Sequence, residues 1–222
     1  MDKKIFLSSA FILFASCSFA QGVNANIFPP VGTSSSLTGE LSLYGGVSAS
    51  RSKTDMFDQS LDFGGSGAVL GVTALGYVTP QIALGVDISY ADNGSGTSVK
   101  YLLGDYTLAT QHIVPMFFAK IHLLPAQGRF RLYIPLGIGV DVTNADLKIN
   151  EVKESSRTQA GLALAGGLGA EVMFNNGSFV GIEGRYNYAN YFGDKFDGVS
   201  NCGVINILFK VGVRFDGEAF LN

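Results

Sequence analysis

Two histidines, His112 and His122, are the imidazole bases this chain offers. A base does covalent work only with a nucleophile in hydrogen-bond reach and a group to orient it. Neither histidine has a serine two residues on, and no motif marks Asp141 or Glu171 as a replacement base. His112, close to a polar stretch, is the better placed of the two. The glycine-rich segments lack the lysine or acidic partner of a phosphate loop or dinucleotide fold. Asp141, Asp146, Glu151 and Glu154 lack the glycine and spacing of a calcium loop, and Asp194 with Asp197 beside Gly198 makes only a two-carboxylate candidate. Asn93-Gly94-Ser95 matches a glycosylation acceptor without the context for one. The sequence therefore specifies no catalytic residue, no cofactor and no metal.

What it does specify is a set of charges at even spacing among apolar residues. Glu183 and Arg185 flank Gly184 between Ile182 and Tyr186; Lys120 and His122 flank Ile121; Lys210 and Arg214 stand between Phe209, Val211, Val213 and Phe215. Side chains two apart on a strand share a face. The segment Ile82-Ala-Leu-Gly-Val-Asp-Ile-Ser-Tyr90 puts bulky apolar groups on every even position and small or charged ones between. Such alternation marks a strand with one oily and one polar face. The polar face carries glycine and formal charge, and the oily face is too continuous for one small core. The reading is a barrel with its apolar face in lipid.

Composition agrees. Charged residues are 15%, below the ~25% of soluble domains. Glycine supplies 29 of 222 residues, nearly twice the usual ~7%. No window supplies the ~20 apolar residues of a membrane helix, because Lys120 and His122 interrupt 113–124 and Glu171 with several glycines interrupts 162–174. A closed sheet is the other structure that satisfies backbone groups in hydrocarbon. Lys3 and Lys4, an apolar run from Ile5 to Phe14 and Ser18-Phe19-Ala20 read as an export signal over 1–20. The alternative, lipid attachment at Cys17, meets a bulky Phe14 upstream. Removing the signal leaves Cys202 as the single thiol, so no internal disulfide is expected. It also removes Lys3, Lys4 and Asp2, moving the formal charge from −3 to −4, which argues against nucleic acid.

Residues 21–35 read as an irregular periplasmic leader and 36–215 as eight strands, roughly 38–48, 67–77, 82–91, 108–124, 132–142, 159–174, 179–191 and 204–215. Alternation in the second is blurred by glycine and alanine. Thr79-Pro80-Gln81, Pro125-Ala-Gln-Gly128 and Asn175-Asn-Gly-Ser178 are tight turns. Longer polar segments, about 49–66, 92–107, 143–158 and 192–203, lie between them as four long loops. Short turns at one end and long loops at the other are the outer-membrane pattern. Only 216–222 follow the last strand, a short C-terminal extension.

On the segments Gly85-Val-Asp-Ile-Ser-Tyr90, Leu132-Tyr-Ile-Pro-Leu-Gly-Ile-Gly-Val140, Phe179-Val-Gly-Ile-Glu-Gly-Arg-Tyr186 and Lys210-Val-Gly-Val-Arg-Phe215, the chain resembles the OmpA/OmpX-type eight-stranded barrels. More broadly it resembles the outer membrane protein β-barrel domain family of porin-like surface antigens. The resemblance implies an all-β, antiparallel up-and-down transmembrane barrel in the bacterial outer membrane. It implies a monomer in contact with outer-membrane lipids and lipopolysaccharide. The family's terminal aromatic residue is matched by Phe215, seven residues before the end.

An eight-stranded barrel is just wide enough for side chains to fill. Glu40, Asp87, Lys120, His122, Asp141, Glu171, Glu183, Arg185, Lys210 and Arg214 are expected to point inward as a structural network of ion pairs. Tyr90, Tyr186 and Tyr188 near the loops, and Phe130, Tyr133, Phe174, Phe179, Phe209 and Phe215 near the turns, are expected in two lipid-facing girdles. The functional expectation is a non-enzymatic surface protein serving envelope integrity, adhesion or contact with a ligand on a host or neighbouring cell. The loop Arg51-Ser-Lys-Thr-Asp-Met-Phe-Asp58 is a candidate contact surface. A narrow channel or small-ligand carrier is the alternative, resting on the small inward residues Gly161, Ala163, Ala165, Gly167 and Gly169. Small barrels also include lipid A-modifying enzymes, for which His112 would be the residue to test. A soluble lipocalin-like barrel would instead turn Ile82, Leu84, Val86 and Ile88 inward.

Overall fold

A computed structural model describes residues 38–56, 59–96, 99–101, 104–123, 129–150, 152–192 and 199–216. The segments 1–20 and 21–35 and most of the C-terminal extension lie outside them, as do Asp194 and Asp197. The alternating residues form β1 (Thr38–Met56), β2 (Gln59–Thr79), β3 (Ile82–Gly96), β4 (Val99–Tyr101), β5 (Gly104–His122), β6 (Phe130–Ile149), β7 (Val152–Met173), β8 (Ser178–Tyr191) and β9 (Val199–Asp216). Each pairs antiparallel with its neighbours. β1 also pairs with β9, and β3 with β5, so the sheet closes on itself. The short β4 takes the same edge of β5 above β3, so the barrel has eight staves. Among the described residues no helix is long and apolar enough to cross a membrane.

Two turns show why these residues reverse the chain. Between β2 and β3 the Thr79 hydroxyl accepts from the Gln81 and Ile82 N–H groups. Between β7 and β8 Gly177 sits at φ 81°, a conformation costly for a residue with a Cβ. At the opposite end Asn150 takes φ 49° between β6 and β7, a conformation asparagine tolerates better than most residues.

The strands run beyond the expected bounds. The β1–β2 ladder continues to Met56↔Gln59 and the β6–β7 ladder to Ile149↔Val152. Among the described residues, the segments 49–66, 92–107 and 143–158 are therefore strand for most of their length, not loop, and of 192–203 the part 199–203 is strand. Above the lipid an outward position needs no apolar residue, so the ladder persists where the oily face ends. Of the candidate contact segment 51–58, residues 51–56 are the end of β1, and 57–58 lie outside the described residues; Ser52 is buried and Arg51 pairs with Asp62 at 2.8 Å.

Large apolar side chains stand exposed on every stave, including Leu70, Leu84, Phe117 (74% exposed), Ile138, Leu168, Ile182 and Phe209. On β6 this outward run extends from Phe130 to Val142. At ~3.3 Å per residue and a tilt near 45° that run covers roughly 28 Å along the barrel axis, close to the ~25 Å apolar band of such barrels. Leu84 is about half exposed and Asp87 is fully buried. This is the reverse of a lipocalin-like arrangement. Two girdle assignments are corrected: Tyr133 and Phe179 are buried inside the barrel. Each shares parity with inward charges, Tyr133 with Arg131 and Phe179 with Glu183, and parity decides the face. The blurred second strand resolves as Val69, Thr73 and Leu75 inward, Leu70 outward.

The barrel interior as candidate functional site

Toward the tight turns, inward positions of six staves bring opposite charges together. Lys120 on β5 donates to Glu40 on β1 at 2.7 Å and to Glu171 on β7 at 2.5 Å. Tyr77 donates to the other Glu40 oxygen at 2.7 Å and meets His122 Nε2 at 3.1 Å. One level up, Glu183 receives Arg185 Nε at 2.6 Å, the Tyr133 hydroxyl at 2.9 Å and Lys210 Nζ at 3.0 Å. Arg185 reaches on to Asp87 at 2.8 Å, which also accepts from Thr73 at 2.6 Å and Tyr44 at 2.9 Å. Aromatic faces fill the remaining space: Lys120 lies 4.5 Å from the Tyr133 ring centroid, Arg185 4.7 Å from Phe118, and Arg214 3.8 Å from Tyr77. Arg214 stacks near the mouth, beside Glu40 in the β1–β9 register. Removing such charges from water is costly unless each meets its opposite and its hydrogen bonds; these contacts bring Lys120, Arg185 and Lys210 to opposite charges, while Glu171 Oε1 and Arg185 Nη2 keep no hydrogen bond.

Asp141 lies apart from that group, in a second cluster nearer the long hairpins. His112 Nδ1 is 3.0 Å from Asp141 Oδ2, while His112 Nε2 is 3.0 Å from the Thr110 hydroxyl. Thr143 and Tyr191 donate to Asp141 at 2.8 and 2.9 Å. A hydroxyl, an imidazole and a carboxylate in series is the order found in nucleophilic triads. Here Thr110, His112 and Asp141 are each no more than 4% exposed. Above them Phe63, Tyr106, Leu108, Val199 and Val204 form an apolar cap. Among the described residues no group of three or more His, Cys, Asp or Glu could hold a metal ion.

Sequence parity finds the charged members of both clusters. It misses how aromatic rings close the gaps left by small residues. A Cβ on Gly169 would stand 2.2 Å from the Tyr133 ring, one on Gly71 2.3 Å from Tyr44, and one on Gly212 2.5 Å from Phe179. Gly169, one of the small residues expected to keep the lumen open, is the floor beneath Tyr133.

An outward oily belt, an inward ion-paired filling and a closed antiparallel sheet define the class. The chain is an eight-stranded outer-membrane β-barrel. Among solved structures it is similar to the outer membrane protein OprG from Pseudomonas aeruginosa, at 17% identity over 80% of this chain and 96% of that one, with a TM-score of 0.50. It is also similar to Ail, the attachment invasion locus protein of Yersinia pestis, at 18% identity over 80% of this chain and 99% of that one, with a TM-score of 0.46. Neisserial surface protein A matches at 18% identity over 78% and 97%, with a TM-score of 0.40. At such identities the likeness concerns the fold, and only the OprG match bears weight for it. No family model matches the sequence, and neither does any curated protein.

Proposed function

We propose that this barrel is a non-enzymatic surface scaffold whose work is done by the hairpins above the belt, in contact with a ligand on a host or neighbouring cell. The observation that carries this reading is the extension of β5, β6 and β7 past the outward apolar residues of the belt. Beyond Ile113 and Val142 the outward positions become Gln111, Asn144 and Asp146, and the ladder still runs to Ile149↔Val152. The filled lumen supports the same reading against a channel or carrier, and the burial of Thr110, His112 and Asp141 supports it against lipid A chemistry.

The test replaces Leu147–Ser155 by Asn-Gly and displays both forms on a non-adherent bacterium. The expected result is adhesion to cultured cells above the empty-vector level, lost in the trimmed form, which still migrates differently before and after boiling. Adhesion equal to the vector control, adhesion unaffected by trimming, or steady single-channel steps from the purified protein would each overturn it.

A further inference from the structure

The β6–β7 hairpin closes on a two-residue turn at Ile149↔Val152, above the apolar belt. A ladder that ends in water frays from its tip, because solvent replaces each bond it loses. Here the last rung is followed by one more fastening. Beyond Tyr106↔Ile149 the Asn150 N–H donates to the Asp105 carbonyl at 2.9 Å, and the Asp105 N–H donates to Asn150 Oδ1 at 3.0 Å. One asparagine thus holds both backbone groups of one residue on the neighbouring stave. Asp105 in turn pairs with Lys100 across the β4–β5 hairpin. The two hairpins therefore meet at Asn150 and Asp105.

Two properties of position 150 favour asparagine. Its φ of 49° is the one left-handed value of a non-glycine residue among the described residues, and asparagine adopts it at less cost than most side chains. Its side-chain carbonyl is needed as an acceptor. Glycine would meet the first requirement alone, alanine neither, aspartate both. Asn150 and Asp105 are exposed, so water would satisfy either one if the bond were absent. What the bond changes is freedom of movement. It fixes where the tip, with Val152 61% exposed beside it, stands relative to β5. A tip ordered before contact loses less entropy on binding.

We infer that Asn150 is a positioning residue that fastens the β4–β5 and β6–β7 hairpins into one preformed contact surface, an inference that rests on the reading that these hairpins contact a ligand on another cell.

Amide hydrogen exchange of Asp105 in detergent micelles tests the fastening without a ligand. Asn150→Gly is expected to speed that exchange about 2–10-fold, the worth of one hydrogen bond, and Asn150→Asp to leave it near the parent rate. Displayed on a non-adherent bacterium, the Asn150→Gly barrel is expected to adhere several-fold less than the parent, and the Asn150→Asp barrel as well as the parent. Heat-modifiable migration is expected in all three. Exchange or adhesion of Asn150→Gly equal to the parent, or Asn150→Asp as impaired as Asn150→Gly, overturns the inference alone. A parent that does not adhere overturns the reading beneath it as well, whatever the exchange of Asp105.

Discussion

Glu183 is the residue whose loss the structure makes most expensive. It is fully buried and receives Tyr133, Arg185 and Lys210. In Glu183→Ala the Lys210 ammonium is left facing the rings of Tyr44, Phe118 and Tyr133 at 5.6, 5.9 and 5.7 Å. Cation–ring attraction is worth ~0.5–2 kcal/mol. Breaking one side of a buried ion pair costs ~3–5 kcal/mol, and the stranded Tyr133 hydroxyl adds to that. Arg185 keeps Asp87, which limits the damage. The terms overlap, so the expected loss is about 4 kcal/mol, a large part of the ~5–15 kcal/mol of an ordinary fold. Urea titration in phospholipid vesicles, reading folded and unfolded bands on unheated gels, measures it. Removing the charge from both partners in Glu183→Gln/Lys210→Met should be less destabilising than Glu183→Gln alone, because no unpaired ion remains. A loss under ~1 kcal/mol in Glu183→Ala, or a double variant as unstable as its two singles combined, would refute the claim that this network holds the lumen closed.

Spin labels at Leu84 and Ile134 should be reached by oxygen dissolved in the acyl chains and shielded from water-soluble nickel complexes; the opposite accessibility would mean that the belt does not face lipid. Gly169→Val places a branched side chain where the Tyr133 ring lies, so refolding yield should collapse, and Tyr133→Ala in the same chain should partly restore it; normal refolding of Gly169→Val would show that the ring is not locked there. His112→Gln should leave the mass of lipid A unchanged in cells expressing the protein, and any lipid A modification abolished by the substitution would assign His112 a catalytic role.

The faces of the staves were legible because period-two parity is a local property. Once Ile82, Leu84 and Ile88 are outward, Asp87 can only be inward. The same rule places Lys120, Asp141, Glu171, Glu183, Arg185 and Lys210 inside, where the structure has them buried. Reading Tyr133 and Phe179 as girdle residues let residue type outweigh parity, although Leu132 and Ile134 already fixed the opposite face for Tyr133. Strand ends were less legible. Oily alternation disappears above the membrane, but backbone pairing does not, so β1 and β6 continue through polar residues such as Ser52 and Asn144. Separation of Asp141 from the other carboxylates also escaped the sequence, since height in a barrel depends on stagger between staves. Pairing of a large ring with a glycine on the neighbouring strand, as Tyr44 with Gly71, is a tertiary match that no single strand records.

Height along the axis sorts these residues by the penalty for leaving a polar group unmet. In the belt the outward face offers lipid no ionised group, and the inward charges are matched to one another at 2.5–3.0 Å. The inward face cannot exchange a partner without leaving an ion unpaired in a low dielectric. Above the belt water meets any group that loses a contact, so Arg51 and Asp62, exposed at 74% and 41%, can separate at little cost. Recognition requires surfaces that trade water for a ligand and back again. Among the described residues, the upper parts of β1, β2 and β5–β7 allow that exchange, so under the proposed function change in those segments should alter binding while the fold survives.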